Sequence, residues 1–200
     1  MIDVQEILAL HQKTVANWHE RAIDNPYEGF LRMVCFQHQQ NFRLWHQEDI
    51  ARSPDVGDVE VAGVKRSIDK LNQQRNDLIE RLDDYIIADI LAAGVRPAAD
   101  ARLNTETPGS AIDRLSIISL RIYHMEEQAG RGDAPAAHVA KAKSRLQILT
   151  EQRGDLSNSL AELLGDLYAG QKRLKVYRQF KMYNDPTMNP YLYSAKRPAA

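Results

Sequence analysis

Three pairs of side chains stand three residues apart in this sequence: His46 with Asp49, Glu80 with Asp83, and His124 with Glu127. On a helix that spacing puts both groups on one face. Helical bundles present imidazoles and carboxylates to divalent metals in this way, for di-iron chemistry or, with carboxylates alone, for magnesium holding a pyrophosphate. Here the histidine precedes the carboxylate, the reverse of the Glu-x-x-His order of di-iron bundles. The pairs therefore nominate a divalent metal without naming it.

The stretch "FQHQQNFRLWHQED" (residues 36–49) raises a related question, because its polar groups interrupt an apolar stripe. His38, Phe42, Trp45, Asp49 and Arg52 follow one another at spacings of four, three, four and three, with His46 at the flank. Further along, Asn72, Arg75, Asn76 and Asp83 fall within the stripe that contains Ile79 and Ile86. Between Pro108 and Gln128, one face carries Ala111, Leu115, Ile118, Ile122 and Met125, and the opposite face carries Asp113, Ser116, Leu120, Tyr123, His124 and Glu127. Arg153 sits beside Leu149 and Leu156. A buried polar group without a partner costs several kcal/mol. These residues must pair with one another as a structural network, or line a site between helices.

In the second case His38, His46, Asp49, Asp83, Asp113 and His124 are the candidates for acid, base or metal-ligand roles. Asn72, Arg75 and Arg153 are candidates for substrate binding. The segment "QKRLKVYRQFKMY" (residues 171–183) adds Tyr177, Arg178 and Lys181, whose cations would hold a phosphate while the aromatic ring stacks on a sugar or base. The matching ligand is a phosphorylated sugar or nucleotide.

The elements that must position these groups are helices throughout. Asp3 and Glu6 have the spacing of a capping box for a first helix reaching about residue 23. Pro26 suits the first position of a second helix that runs to about Arg52. A third helix spans Val64 to Ala93 and stops at Gly94. Thr107 and Pro108 read as cap and first residue of a fourth helix that runs to about Gln128, and a fifth ends near Ala169. A short basic helix over 171–183 and an irregular tail from about residue 186 complete an elongated all-α multi-helix bundle, expected as one domain over 1–200.

Composition narrows the function classes. With 44% hydrophobic and 26% charged residues, the 200-residue chain has the makings of a real core. No run of about 18 apolar residues is present, so no membrane span is expected, and the acidic, amphipathic start lacks the features of a signal peptide. The chain reads as cytoplasmic. The single cysteine, Cys35, reads as a packed thiol. A net charge of −1 disfavours nucleic acid, although residues 171–200 carry seven Lys or Arg against one Asp.

Four long stretches, "NFRLWHQEDIAR", "IDKLNQQRNDLIERLD", "ETPGSAIDRLSIISLRIYHMEEQ" and "KVYRQFKMYNDPTMNPYLY", resemble the bacterial family known as domain of unknown function 4254. The resemblance covers most of the chain. It implies a helical, cytoplasmic protein encoded near glycosyltransferases of envelope polysaccharide synthesis, and it assigns no catalytic residues. One such glycosyltransferase is the partner it suggests, with the chain acting as a non-catalytic helical companion.

Overall fold

The computed structural model describes residues 2–180, 182 and 185–194. Of the described residues 72% are helical, and among them six helices pack as a bundle. These are α1 (Val4–Glu20), α2 (Gly29–Arg52), α3 (Asp58–Ala92), α4 (Pro108–Ala129), α5 (Ala136–Tyr168) and α6 (Pro190–Ser194). Two-residue strands, β1 (Arg102–Leu103) and β2 (Lys172–Arg173), pair in parallel.

Local chemistry sets the helix ends. The Asp3 carboxylate caps α1 by accepting from Gln5 N–H at 2.7 Å. α2 starts three residues later than Pro26 suggests because Asn25 ties the intervening segment down. Its amide donates to Arg32 O at 2.9 Å and its carbonyl accepts from Tyr27 N–H at 3.3 Å. α3 begins six residues before Val64, with Asp58 and Glu60 in its first turn, where negative charge offsets the exposed N–H groups. It closes at Gly94 (φ 73°). There Val95 N–H reaches Ile90 O and Gly94 N–H reaches Leu91 O, the paired bonds of a Schellman stop. α4 starts at Pro108, and the Thr107 hydroxyl accepts from Ser110 N–H.

The stretch expected as a basic helix takes a different course. Gly170 (φ 70°) closes α5 with a second Schellman pair, and a Cβ there would meet Arg96 O at 2.8 Å. The chain then pairs as β2 and continues without regular secondary structure through Phe180. Backbone pairing with β1 and side-chain anchoring on α3 outweigh the helical propensity of this short segment, and Leu174 packs against the main core. Lys181, Tyr183 and Asn184 lie outside the described residues. Within the tail expected to be irregular, Pro190 opens α6, which suits its fixed φ.

α2 pairs with α3 as one hairpin, α4 with α5 as another, and α1 packs on both α2 and α4. The main core gathers Ile7, Leu10, Val34, Leu82, Ile86, Ile112, Leu115, Leu160 and Leu164. Each such side chain contributes roughly 1.5–3 kcal/mol on burial. Leu44, Val64, Ile68 and Leu71 form a smaller cluster of their own near the α2–α3 turn. α4 is buried on two sides: Leu115 and Ile122 on one, Asp113, Ser116 and Leu120 on the other.

α3 and α4 come close together at Gly109. Its N–H donates to the Asp83 carboxylate at 2.7 Å, and an added Cβ would meet Ile79 O at 2.6 Å and Asp83 Cγ at 2.9 Å. The first of these is backbone and cannot step aside. Gly109→Ala is expected to destabilise the fold by about 1–3 kcal/mol, read as a lower urea midpoint. A midpoint equal to wild type would show that α4 is free to shift here.

Candidate functional site

The polar faces of α2, α3 and α4 meet at Asp113. Its Oδ1 accepts from Gln37 at 2.5 Å, Asn41 at 2.9 Å and Arg75 Nε at 2.7 Å, and its Oδ2 accepts from a second Arg75 nitrogen at 2.5 Å. Asn41 also donates to the Ser116 hydroxyl at 2.8 Å, and that hydroxyl pairs with His38 Nδ1 at 2.6 Å. All four side-chain donors thus reach one buried carboxylate, which offsets the cost of burying it. The Asp113 hydrogen bond raises the Arg75 pKa further and keeps its guanidinium charged.

His38 is sealed beneath this network, with its ring 4.6 Å from His11 and 5.2 Å from Trp18. Burial, and then the neighbouring His11, hold its pKa well below the usual histidine value. Burial pushes His11 down to about 3. Both rings are neutral at pH 7, and both are fully buried.

Above the network a cleft of about 450 Å³ opens between α2, α3 and α4, and Trp45, Asp49, Arg52, Asn72, Arg75 and Arg121 are among its lining residues. Arg75 is committed to Asp113, and Arg52 pairs with Glu48 at 2.9 Å. Arg121 has no ion-pair partner among the described residues. It stands where this cleft meets two further grooves, one along α5 lined by Gln152 and Ser159, and an apolar one lined by Trp45, Met125, Ile148 and Leu149.

Beside Trp45 lies a cluster of imidazoles. His19 of α1, His46 of α2 and His124 of α4 each offer a ligand atom, and these atoms lie within 4.8 Å of one another. Trp45 stacks on His124 at 4.7 Å and Tyr123 on His19 at 4.2 Å, while Phe42 meets His19 and His46 edge-on. His124 Nδ1 donates to Glu127 at 2.8 Å, and His19 Nδ1 donates to Val15 O at 2.7 Å. His46 Nδ1 stands 3.9 Å from Asp49. Burial, followed by the neighbouring His19 and His124, lowers the His46 pKa. These side chains could hold a divalent metal.

The other residues singled out in the sequence are dispersed. Asp83 binds the amino end of α4, and burial raises its pKa to about 6. Arg153 is half-buried on α5 and does not line the cleft. Tyr177 is exposed. Arg178 donates to Glu80 at 3.1 Å and Asp84 at 2.8 Å, so the cation expected to clamp phosphate instead staples the segment after β2 to α3. Lys181 lies outside the described residues. His19 went unnoticed in the sequence because no carboxylate follows it at helical spacing. Its only signal was its place beside Trp18 on the buried stripe of α1. Cys35 is buried and free, and burial pushes its thiol up to about 12, which makes it inert.

The family profile described as Protein of unknown function (DUF4254) matches residues 31–176, well over half of the chain. The chain belongs to the DUF4254 family. The matched span of this DUF4254 protein contains the Asp113 network, the cleft, His46 and His124, whereas His19 precedes it. No curated protein and no solved structure matches the chain. No helix among the described residues is long and apolar enough to cross a membrane.

Proposed function

We propose that this protein binds, and acts as an enzyme on, a phosphorylated sugar or nucleotide held in the cleft between α2, α3 and α4. The observation that carries the reading is Arg121. A guanidinium without an acidic partner among the described residues, at the junction of a polar cleft and an apolar groove, suits an anion attached to a ring. The Asp113 network supports this by fixing Arg75 and Asn41 as a rigid floor, so the cleft is preorganised. Of the acid–base candidates, Asp49 lines the cleft and His124 the adjoining apolar groove, whereas His38, Asp83 and Asp113 are buried.

The test is thermal stability in the presence of UDP-glucose and of inorganic pyrophosphate. A ligand at 100 times its dissociation constant adds about 2.7 kcal/mol of stability. The Arg121→Ala protein should lose that gain while melting normally without ligand. Equal stabilisation of both proteins would remove Arg121 from the site and this reading with it.

One observation favours a second reading, a non-catalytic partner of an envelope-biosynthesis glycosyltransferase. Beyond β2 the chain exposes Tyr177, Phe180 and Tyr191, an aromatic series suited to protein contact. A chain cut after residue 176 that still responds to UDP-glucose but no longer associates with the enzyme would separate the two roles.

A further inference from the structure

Three imidazoles from three different helices do not converge by helical periodicity, since each occupies a separate segment of the sequence. Their polar atoms are also left in an unusual state. The Nε2 atoms of His19 and His124 are buried and have no hydrogen-bond partner, although a buried polar atom without one costs about 1–3 kcal/mol. The opposite nitrogens of the same rings are held, His19 Nδ1 by the Val15 carbonyl and His124 Nδ1 by the Glu127 carboxylate. Donation from Nδ1 fixes the tautomer and leaves a lone pair on each Nε2. The Asp49 carboxylate stands on the Nδ1 side of His46 as well, at 3.9 Å. For His19 and His124, an acceptor behind the ring and a free lone pair in front is the arrangement found around histidines that ligate metals.

We infer that His19, His46 and His124 form a binding site for one divalent transition-metal ion, of the zinc class. Neutral imidazoles suit zinc, cobalt, nickel, copper and iron, whereas calcium and magnesium take oxygen. A tetrahedral ion with metal–nitrogen bonds of about 2.0–2.1 Å holds its ligand atoms roughly 3.4 Å apart. The three donor atoms lie within 4.8 Å of one another, so binding an ion draws the rings together by rotation. Trp45, Phe42 and Tyr123 wall the site and limit those rotations. Three protein ligands leave a fourth position open for water or a ligand. The inference is independent of the phosphate reading, which rests on Arg121.

The experiment is titration of the full chain with cobalt(II), followed by its visible d–d absorption and by elemental analysis, with zinc as competitor. One equivalent should bind, with the absorption of a four- or five-coordinate ion, and zinc should displace it. The triple variant His19→Ala, His46→Ala, His124→Ala should lose the absorption. His138→Ala, which alters a surface histidine bonded to Gln128, should keep it. Should the triple variant fail to fold, Glu127→Gln decides: it keeps all three imidazoles, and a fall in zinc affinity of about tenfold or more supports the site. Wild-type protein that folds but binds no equivalent of cobalt or zinc overturns the proposal. So does unchanged binding in a folded triple variant, or unchanged affinity in Glu127→Gln.

Discussion

Asp113→Asn should cost the fold about 3 kcal/mol or more, measured by urea denaturation at neutral pH. The amide supplies one acceptor where the carboxylate supplied two, and its NH₂ group faces a guanidinium. Arg75 would keep its charge without a counterion, and the amide NH₂ would either displace the acceptor that Gln37, Asn41 and Arg75 Nε share or confront the second Arg75 nitrogen. Removing one partner of a buried pair costs about 3–5 kcal/mol, and the lower end applies because a quarter of the Arg75 side chain meets water. The loss should be largely repaired by also replacing Arg75 with Met, because what destabilises is the stranded charge rather than the missing bond. A single variant as stable as wild type would mean that the network is wet, and the floor of the cleft would not be rigid.

Acid should weaken the protein from about pH 6.5 downward, and His11 is a main cause. Its folded pKa is depressed to about 3 from 6.5, so the neutral ring is what folding favours. Its contribution is complete above pH 6.5 and is lost as the unfolded chain takes up a proton that the folded one refuses. The loss is about 1.4 kcal/mol per pH unit, on the order of 5 kcal/mol by pH 3. His38 acts in the same direction. Asp83 acts in the opposite one: its folded pKa is raised to about 6 from 3.8, so the folded state gains as pH falls through that interval. Between pH 6 and 4 Asp83 therefore masks one histidine. His11→Leu should flatten the acid limb there by about 1.4 kcal/mol per pH unit, and Asp83→Asn should steepen it by as much. Parallel limbs for wild type and His11→Leu would contradict the burial of that ring.

The sequence foretold most of what fixes the helices. Thr107, Pro108, Gly94 and the stop after Ala169 act through local geometry, and local geometry is what spacing reports. The two-sided burial of α4 was also legible, since Asp113 and Ser116 alternate with Leu120 on a face no solvated helix would carry. The carboxyl segment misled because its helical pattern is real, but Arg178 and the backbone of β2 find better partners on α3 and β1, far away in sequence. The histidine cluster was half visible for the same reason. His46 with Asp49 and His124 with Glu127 are helical neighbours, whereas His19 joins them only through the packing of α1 against α2 and α4. Arg121 carried no sequence signal at all: what distinguishes it is that it forms no ion pair among the described residues, although Glu48, Asp49 and Asp155 line the same clefts, and that is a property of the assembled surface.

The most direct test of the cleft is the set of arginine Nε–H resonances, recorded by nitrogen-15 NMR while UDP-glucose is added. The Arg121 signal, assigned with Arg121→Lys, should shift progressively to saturation, while that of Arg75, already bound to Asp113, and that of Arg178, already bound to Glu80 and Asp84, should stay in place. A saturating titration that leaves Arg121 unmoved, or that moves Arg178 instead, would contradict the account.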